Sequence, residues 1–279
     1  MIPAAGVARS APERTEKLRV ILGDAGVSAL ADACVMVLGT GGVGSNCVEA
    51  LARGGVGRFV LVDRDVVSAS NLNRQAIAFH STLGQRKVDV MRRMVLDINP
   101  DAHVEVRDDF VRADNVAALL DAYRARVDWV VDAIDTVSTK IALAEYADRT
   151  HLPMISSMGG GNKLHPENLG FADIYTTVNC PLCRIMRKEC RKRGVSGLKV
   201  LYSCEQPART SVAEGAVRSD RSDLGTMSYI PPIMGQMIAG WVIRQICGLD
   251  PSESPTCAHR DARPNPSVGA GSDTPRASR

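Results

Sequence analysis

Aromatic residues are scarce in this chain: Phe, Tyr and Trp together make up 4% of its 279 residues. A core with so few large rings has to be filled by Val, Ile, Leu, Ala and Met. The 45% hydrophobic content supplies enough of them for one large domain or a domain with appendages. Long apolar runs are missing too, and none approaches the roughly 20 residues that span a bilayer. No membrane partner is expected. The opening MIPAAGVARSAPERTEK has no apolar h-region, which argues against a secretory signal and for a cytoplasmic location. The eight cysteines are scattered, so a secreted disulfide framework is excluded. Four of them (Cys34, Cys47, Cys190, Cys247) stand in strand- or helix-like contexts and read as buried or free thiols. Cys180 and Cys183 form one CxxC, but the second pair of a four-cysteine zinc site is absent, and zinc is not expected. Net charge is only +3, yet residues 184–199 hold seven Lys/Arg and one Glu. That local balance of +6 leaves −3 for the rest of the chain and points to a polyanionic partner.

Residues 1–12 and 249–279 are nearly free of large apolar side chains and are expected to be disordered. Between them, strand-like and helix-like stretches alternate. CVMVLG and RFVLVD read as strands around a helix over 43–53. A helix over 83–98 follows, ended at Asn99-Pro100, where the residue before proline leaves helical geometry. Strand HVEVRD, helix 115–123 with Asp114 as its cap, strand WVVDAID, helix 137–150 and strand LPMISS continue the pattern. Such alternation implies crossover connections, hence an α/β, doubly wound, mostly parallel (Rossmann-like) sheet in the first 160 or so residues. A smaller C-terminal extension should hold a strand at LGFADIYTT, a basic helix at CPLCRIMRKECRKRG and a final amphipathic helix at PPIMGQMIAGWVIRQICG. In the basic helix, Leu182, Ile185, Met186 and Cys190 are expected on the buried face. In the final helix, Gly235, Ala239 and Gly240 would permit a close helix contact. Residues 207–227 are polar and read as a loop.

GTGGVG sets Gly39, Gly41 and Gly44 directly after a strand and at the start of a helix. The logic is a tight turn, close backbone approach to phosphate, and a helix N-terminus facing the anion. Asp63 ends the second strand 19 residues after Gly44, where a carboxylate can accept hydrogen bonds from ribose. These features fit NAD and ATP equally. The residues that follow favour ATP. Asn71, Asn73 and Arg74 in SNLNRQ, then Lys87, then Asp135 in VVDAID all stand at or just beyond strand ends, where a doubly wound sheet keeps its ligand crevice. Two fixed cations suit β- and γ-phosphates. A carboxylate at Asp135 suits Mg²⁺, which takes carboxylate and phosphate oxygens together.

At this point GTGGVGS, EALARGGVG, LVDRDVV, SNLNRQ, GQRKVDVM and VVDAID resemble the adenylating domain of ubiquitin-activating-like enzymes, including sulfur-carrier adenylyltransferases. The later stretch GGGNKL…DIY…CPL…MRKECRKRG is similar to tRNA threonylcarbamoyladenosine dehydratases, so the resemblance runs over about residues 13–248. It implies an ATP-binding adenylating domain at 13–160 and a substrate- and tRNA-binding, dimerising extension at 161–248. It further implies ATP-dependent activation of a carboxylate, followed by ring closure. Gly42 and Asp63 would bind nucleotide; Asn71, Arg74 and Lys87 would bind phosphates; and Asp135 would hold magnesium. Arg14, in ERTEK, matches an arginine that relatives reach into a partner's active site, which implies a homodimer. Arg184, Arg187, Lys188, Arg191, Lys192 and Arg193 would meet tRNA phosphates. A sulfur-relay or other accessory protein is left open as a partner. The rival readings are a sulfur-carrier adenylyltransferase, a non-enzymatic nucleotide- or tRNA-binding module, and, more distantly, an NAD oxidoreductase.

Overall fold

The computed structural model describes residues 11–208 and 225–249. Seven strands form one sheet: β1 (Cys34–Leu38), β2 (Arg58–Val62), β3 (His103–Arg107), β4 (Trp129–Asp132), β5 (Met154–Ser157), β6 (Leu169–Asp173) and β7 (Lys199–Ser203). Their order is β3-β2-β1-β4-β5-β7-β6, with every neighbouring pair parallel except β6–β7. The order reverses between β1 and β4, which makes the crevice at their C-terminal ends the natural ligand position. Every residue of β1 is buried, as expected of a central strand covered on both faces. Its side chains alternate between two cores. Val35 and Val37 join Cys47, Leu51, Val88 and Met91 beneath α2 (Gly42–Arg53) and α3 (Lys87–Ile98). Cys34, Met36 and Leu38 join Leu120, Leu143 and Met186 beneath α4 (Val116–Asp121), α5 (Val137–Thr150) and α6 (Pro181–Lys192).

The extension adds to this unit. β7 pairs with β5, and α7 (Ile230–Ile246) lies directly on α2. A Cβ at Gly235 would stand 2.4 Å from the Val43 carbonyl oxygen and 2.8 Å from the Cys47 nitrogen, so only glycine allows this approach. The scarce aromatics are spent at the same junction. Trp241 of α7 meets Trp129 of β4 edge-on at 5.0 Å and Phe171 of β6 at 6.2 Å.

Several expected boundaries move. α3 starts at Lys87, because Gly84 turns the preceding chain through φ 79°. α4 is shorter than expected, and Asp114 does not cap it: Asp114 pairs with Arg112, while the Asn115 carboxamide accepts from the Arg112 amide. On α6 the buried face is Cys183, Met186 and Cys190, while Ile185 is exposed. α1 (Ala11–Asp32) and β7 are additions to the expected elements. α1 points Val20 and Ile21 into solvent and bends at Gly23, which spoils its apolar spacing; β7 is five residues set in a glycine-rich stretch. Because α1 starts at Ala11, the last two residues of the stretch expected to be disordered are helical. Leu249, the first residue of the other stretch, is described and its amide donates to the Arg244 carbonyl at 2.9 Å, while 1–10, 250–279 and most of the expected 207–227 loop lie outside the described residues. Among the described residues, no helix is long and apolar enough to cross a membrane.

Replacing Gly235 with valine should cost about 1–3 kcal/mol of stability by forcing α7 off α2. Urea unfolding measures this as a lower midpoint.

Candidate active site

The first turn of α2 begins where β1 stops. Gly39 has φ 88°, and a Cβ at Gly44 would lie 1.8 Å from the Gly39 carbonyl oxygen, so strand and helix are in backbone contact across the loop. Two side chains of that turn hold the end of SNLNRQ and the residue after it. Ser45 Oγ donates to the Gly41 carbonyl at 2.7 Å and accepts from the Ala76 amide at 3.0 Å. Asn46 Nδ2 donates to the Gly42 carbonyl at 2.7 Å and to the Arg74 carbonyl at 3.1 Å. The Arg74 stem consequently lies over Gly42, 3.3 Å from where a Cβ would be. Its guanidinium is oriented by Ser70 O and Asn73 Oδ1, at 2.9 and 2.8 Å.

Asp63 closes the far side of the loop. Its Oδ2 accepts from the Thr40 amide (2.7 Å) and hydroxyl (3.0 Å), and its Oδ1 from the Asp65 amide (2.8 Å). Lys87, the first residue of α3, is buried and pairs with Asp65 at 2.9 Å. Asn71 is buried and engaged in its own turn, its Oδ1 accepting from the Ser68 amide at 3.1 Å. Asp135 is exposed three residues beyond the end of β4. The glycine loop, Asp63, Arg74, Lys87 and Asp135 thus all belong to strand ends, loops or helix starts along one edge of the sheet. Arg14 sits apart, on α1, with its Nη1 buried and unpartnered among the described residues.

The chain matches the ThiF family over residues 13–265. The tRNA threonylcarbamoyladenosine dehydratase of Bacillus subtilis is 37% identical over 234 residues, 81% of this chain and 91% of that protein. This chain belongs to the ThiF family, among its tRNA threonylcarbamoyladenosine dehydratases. The crystal structure of the Escherichia coli tRNA N6-threonylcarbamoyladenosine dehydratase in complex with ATP superposes with a TM-score of 0.77 at 28% identity, covering 87% of this chain and 97% of that one. Similarity to the adenylyltransferase and sulfurtransferase MOCS3 of Culex quinquefasciatus is 34% over 141 residues, only 50% of this chain.

Sequence reasoning missed one group in this ThiF-family chain. Asp132, the first acid of VVDAID, is wholly buried with Lys140, whose ammonium donates to Asp132 Oδ2 (2.9 Å), Ser156 Oγ (3.1 Å) and the Ser157 carbonyl (2.7 Å). Ser156 Oγ donates to the same carboxylate oxygen at 2.6 Å, and the Ile134 amide to the other at 3.1 Å. All three ammonium protons are used, which is what a buried charge requires. The network fixes the start of the 133–136 loop that carries Asp135. The available signal was a lysine eight residues after an acid that ends a buried strand.

The stretch GGGNKL also reaches this edge. Asn162 has φ 56°; its amide donates to Gly225 O (2.8 Å), its Oδ1 accepts from Gly225 N (2.7 Å), and its carbonyl accepts from Ala208 N (2.8 Å). Asn73 of SNLNRQ donates to the neighbouring Thr226 carbonyl at 3.1 Å. On α6, Arg184, Arg187, Lys188, Arg191 and Lys192 line an open recess of about 630 Å³. Arg187 is turned inward to Thr177, and Arg191 lies over the Tyr175 ring at 5.2 Å. Arg193 pairs with Glu189 and, at 3.7 Å, with Glu145; its hydrogen bond holds the Glu189 carboxyl below the usual range. Arg184, Lys188 and Lys192 are exposed and have no ion pair among the described residues.

Lys140→Met should destabilise the fold by about 3–5 kcal/mol, because Asp132 is left buried without its partner. Adding Asp132→Leu to that variant should recover most of the loss, as read from urea midpoints at unchanged slope.

Proposed function

We propose that this chain is a cytoplasmic homodimer that uses ATP to activate the carboxylate of threonylcarbamoyladenosine in tRNA and closes it to the cyclic form. The observation that supports this reading is that SNLNRQ and GGGNKL bond to adjacent residues, 226 and 225, which sets the stretch that resembles the dehydratases beside the one read as gripping phosphates. The similarity to dehydratases extends through the basic helix, whereas the similarity to an adenylyltransferase and sulfurtransferase covers half the chain. This favours a tRNA substrate over a ubiquitin-like protein.

In this reading residues 13–160 adenylate, and residues 161–248 bind tRNA and support dimerisation. Gly39, Gly41, Gly42 and Gly44 bring the amides of α2 to the nucleotide phosphates. Asp63 takes ribose hydroxyls from a carboxylate that Thr40 already orients. Arg74 and Lys87 neutralise the leaving pyrophosphate; Asn71 holds the turn that presents Arg74. Asp135 is the residue that would hold magnesium: it offers one exposed carboxylate, to which bound ATP would add phosphate oxygens, while Asp132 is committed to Lys140. When bound, it would offset charge on the β- and γ-phosphates.

A carboxylate oxygen of the modification attacks the α-phosphorus, and the bond to pyrophosphate breaks. An atom of the modification's own side chain then attacks the activated carbonyl, and AMP leaves with the carboxylate oxygen. Holding both reacting groups on one nucleoside makes the second step effectively unimolecular. Arg14 would serve the second subunit's site. Its buried nitrogen, unpartnered among the described residues, and the 81% and 80% exposure of Val20 and Ile21 on the same helix, support a contact between two copies there. Arg184, Lys188 and Lys192 would meet tRNA phosphates directly, with Arg187 and Arg191 flanking; Arg193 contributes less because its charge is paired.

Incubation with ATP, Mg²⁺ and threonylcarbamoylated tRNA, followed by nucleoside mass spectrometry, should show an ATP-dependent loss of one water. No loss, together with pyrophosphate exchange driven by a ubiquitin-like carrier, would overturn the reading. Asp135→Ala should lower turnover by about 10²-fold or more in the same assay. Arg184→Ala with Lys188→Ala should weaken binding of all tRNA sequences alike, and should lower the salt slope by about one for each phosphate that is no longer neutralised.

A further inference from the structure

Two of the cysteines stand together in a way that the adenylation reading does not use. Cys180 is the N-cap of α6, Pro181 starts the helix, and the Cys183 amide donates to Cys180 Sγ at 3.4 Å. The Cys180 sulfur thus lies against the Cys183 backbone, and Cα atoms three residues apart in a helical turn are about 5 Å apart, inside the roughly 4.4–6.8 Å that a disulfide spans. We propose that Cys180 and Cys183 are a redox-active dithiol that peroxide closes reversibly to a disulfide at the start of α6.

The two sulfurs are set up for different parts of that chemistry. Hydrogen bonds from the Cys183 thiol and amide, aided by the nearby Lys163 ammonium, outweigh burial and bring the Cys180 thiol down to about 6. The amides of a helix start favour a thiolate in the same way. Cys183, which shares its proton with that thiolate and is itself buried, is pushed up. Burial pushes up Cys34, Cys47, Cys190 and Cys247 as well. Cys180 is therefore the nucleophile and Cys183 the resolving thiol. Cys180 is 4% exposed and Cys183 not at all, while the residues next to Cys180 in the chain, Val178, Asn179 and Pro181, are exposed. That suits hydrogen peroxide, which is close to water in size, and disfavours a protein disulfide.

In the first step the Cys180 thiolate attacks one peroxide oxygen. An S–O bond forms, the O–O bond breaks, and the leaving hydroxide takes a proton to become water. In the second step the Cys183 sulfur attacks the Cys180 sulfur: the S–S bond forms, the S–O bond breaks, and the Cys183 proton leaves with the hydroxide as a second water. Two electrons pass from the sulfurs to peroxide, and an added dithiol reverses the result by exchange.

Both cysteines lie in one tryptic peptide, 164–184, so the test needs no variant. The full chain is treated with hydrogen peroxide, alkylated with iodoacetamide, digested and weighed, with and without dithiothreitol before alkylation. The expected result is a peptide lighter by two hydrogens and unalkylated, which dithiothreitol restores. In Cys183→Ser, dimedone should label Cys180; in Cys180→Ser, residue 183 should remain unlabelled. The proposal fails if the peptide is still fully alkylated at peroxide levels that oxidise the half-buried Cys204 or Cys247. It also fails if dimedone labels Cys183 in the Cys180→Ser variant.

Discussion

The close seat of α2's first turn on the end of β1 is the constraint on which the rest of this molecule depends. Gly39 and Gly44 let backbone touch backbone there, and the helix start is thereby aimed along the sheet edge. Ser45 and Asn46, projecting from that turn, fix residues 74–76, and Gly235 lets α7 close over the same turn. A bulky side chain at any of these three glycines would shift the loop, the arginine and the final helix together. One local geometry thus links sequence to packing and packing to the candidate site.

A second fixed point lies across the switch between β1 and β4. The buried Asp132–Lys140 pair is a poor device for raw stability, since an apolar pair of similar volume often does as well. Its value lies in placement. With every donor of Lys140 satisfied, the loop bearing Asp135 starts from a rigid base, and an exposed carboxylate can be presented without losing its position. The glycine loop on one side and this network on the other define the crevice in which the proposed adenylation takes place.

The first half of the chain was legible in the sequence because its signals are local. A glycine loop between strand and helix, an acid at a strand end and SNLNRQ each state a backbone geometry or a charge, and the sheet topology brings them to one edge. The partners of those residues were not legible. Nothing local says that Asn71 turns inward, that Lys87 is met by Asp65, or that Arg193 of the basic run is neutralised by Glu189 and Glu145. These depend on which side chains the fold brings within about 3–4 Å, and that is a tertiary matter. The same holds for the Asp132–Lys140 pair, and for α1, whose exposed Val20 and Ile21 break the periodicity by which a helix is recognised.

The chemistry proposed for the crevice rests on one event: transfer of a carboxylate oxygen of the nucleoside to the α-phosphate of ATP. Labelling that carboxylate with heavy oxygen before a single turnover tests it directly, because the bridging oxygen must leave with AMP. The account predicts one heavy oxygen in AMP and none in pyrophosphate. Unlabelled AMP, with the heavy oxygen recovered in water or in inorganic phosphate, would contradict it.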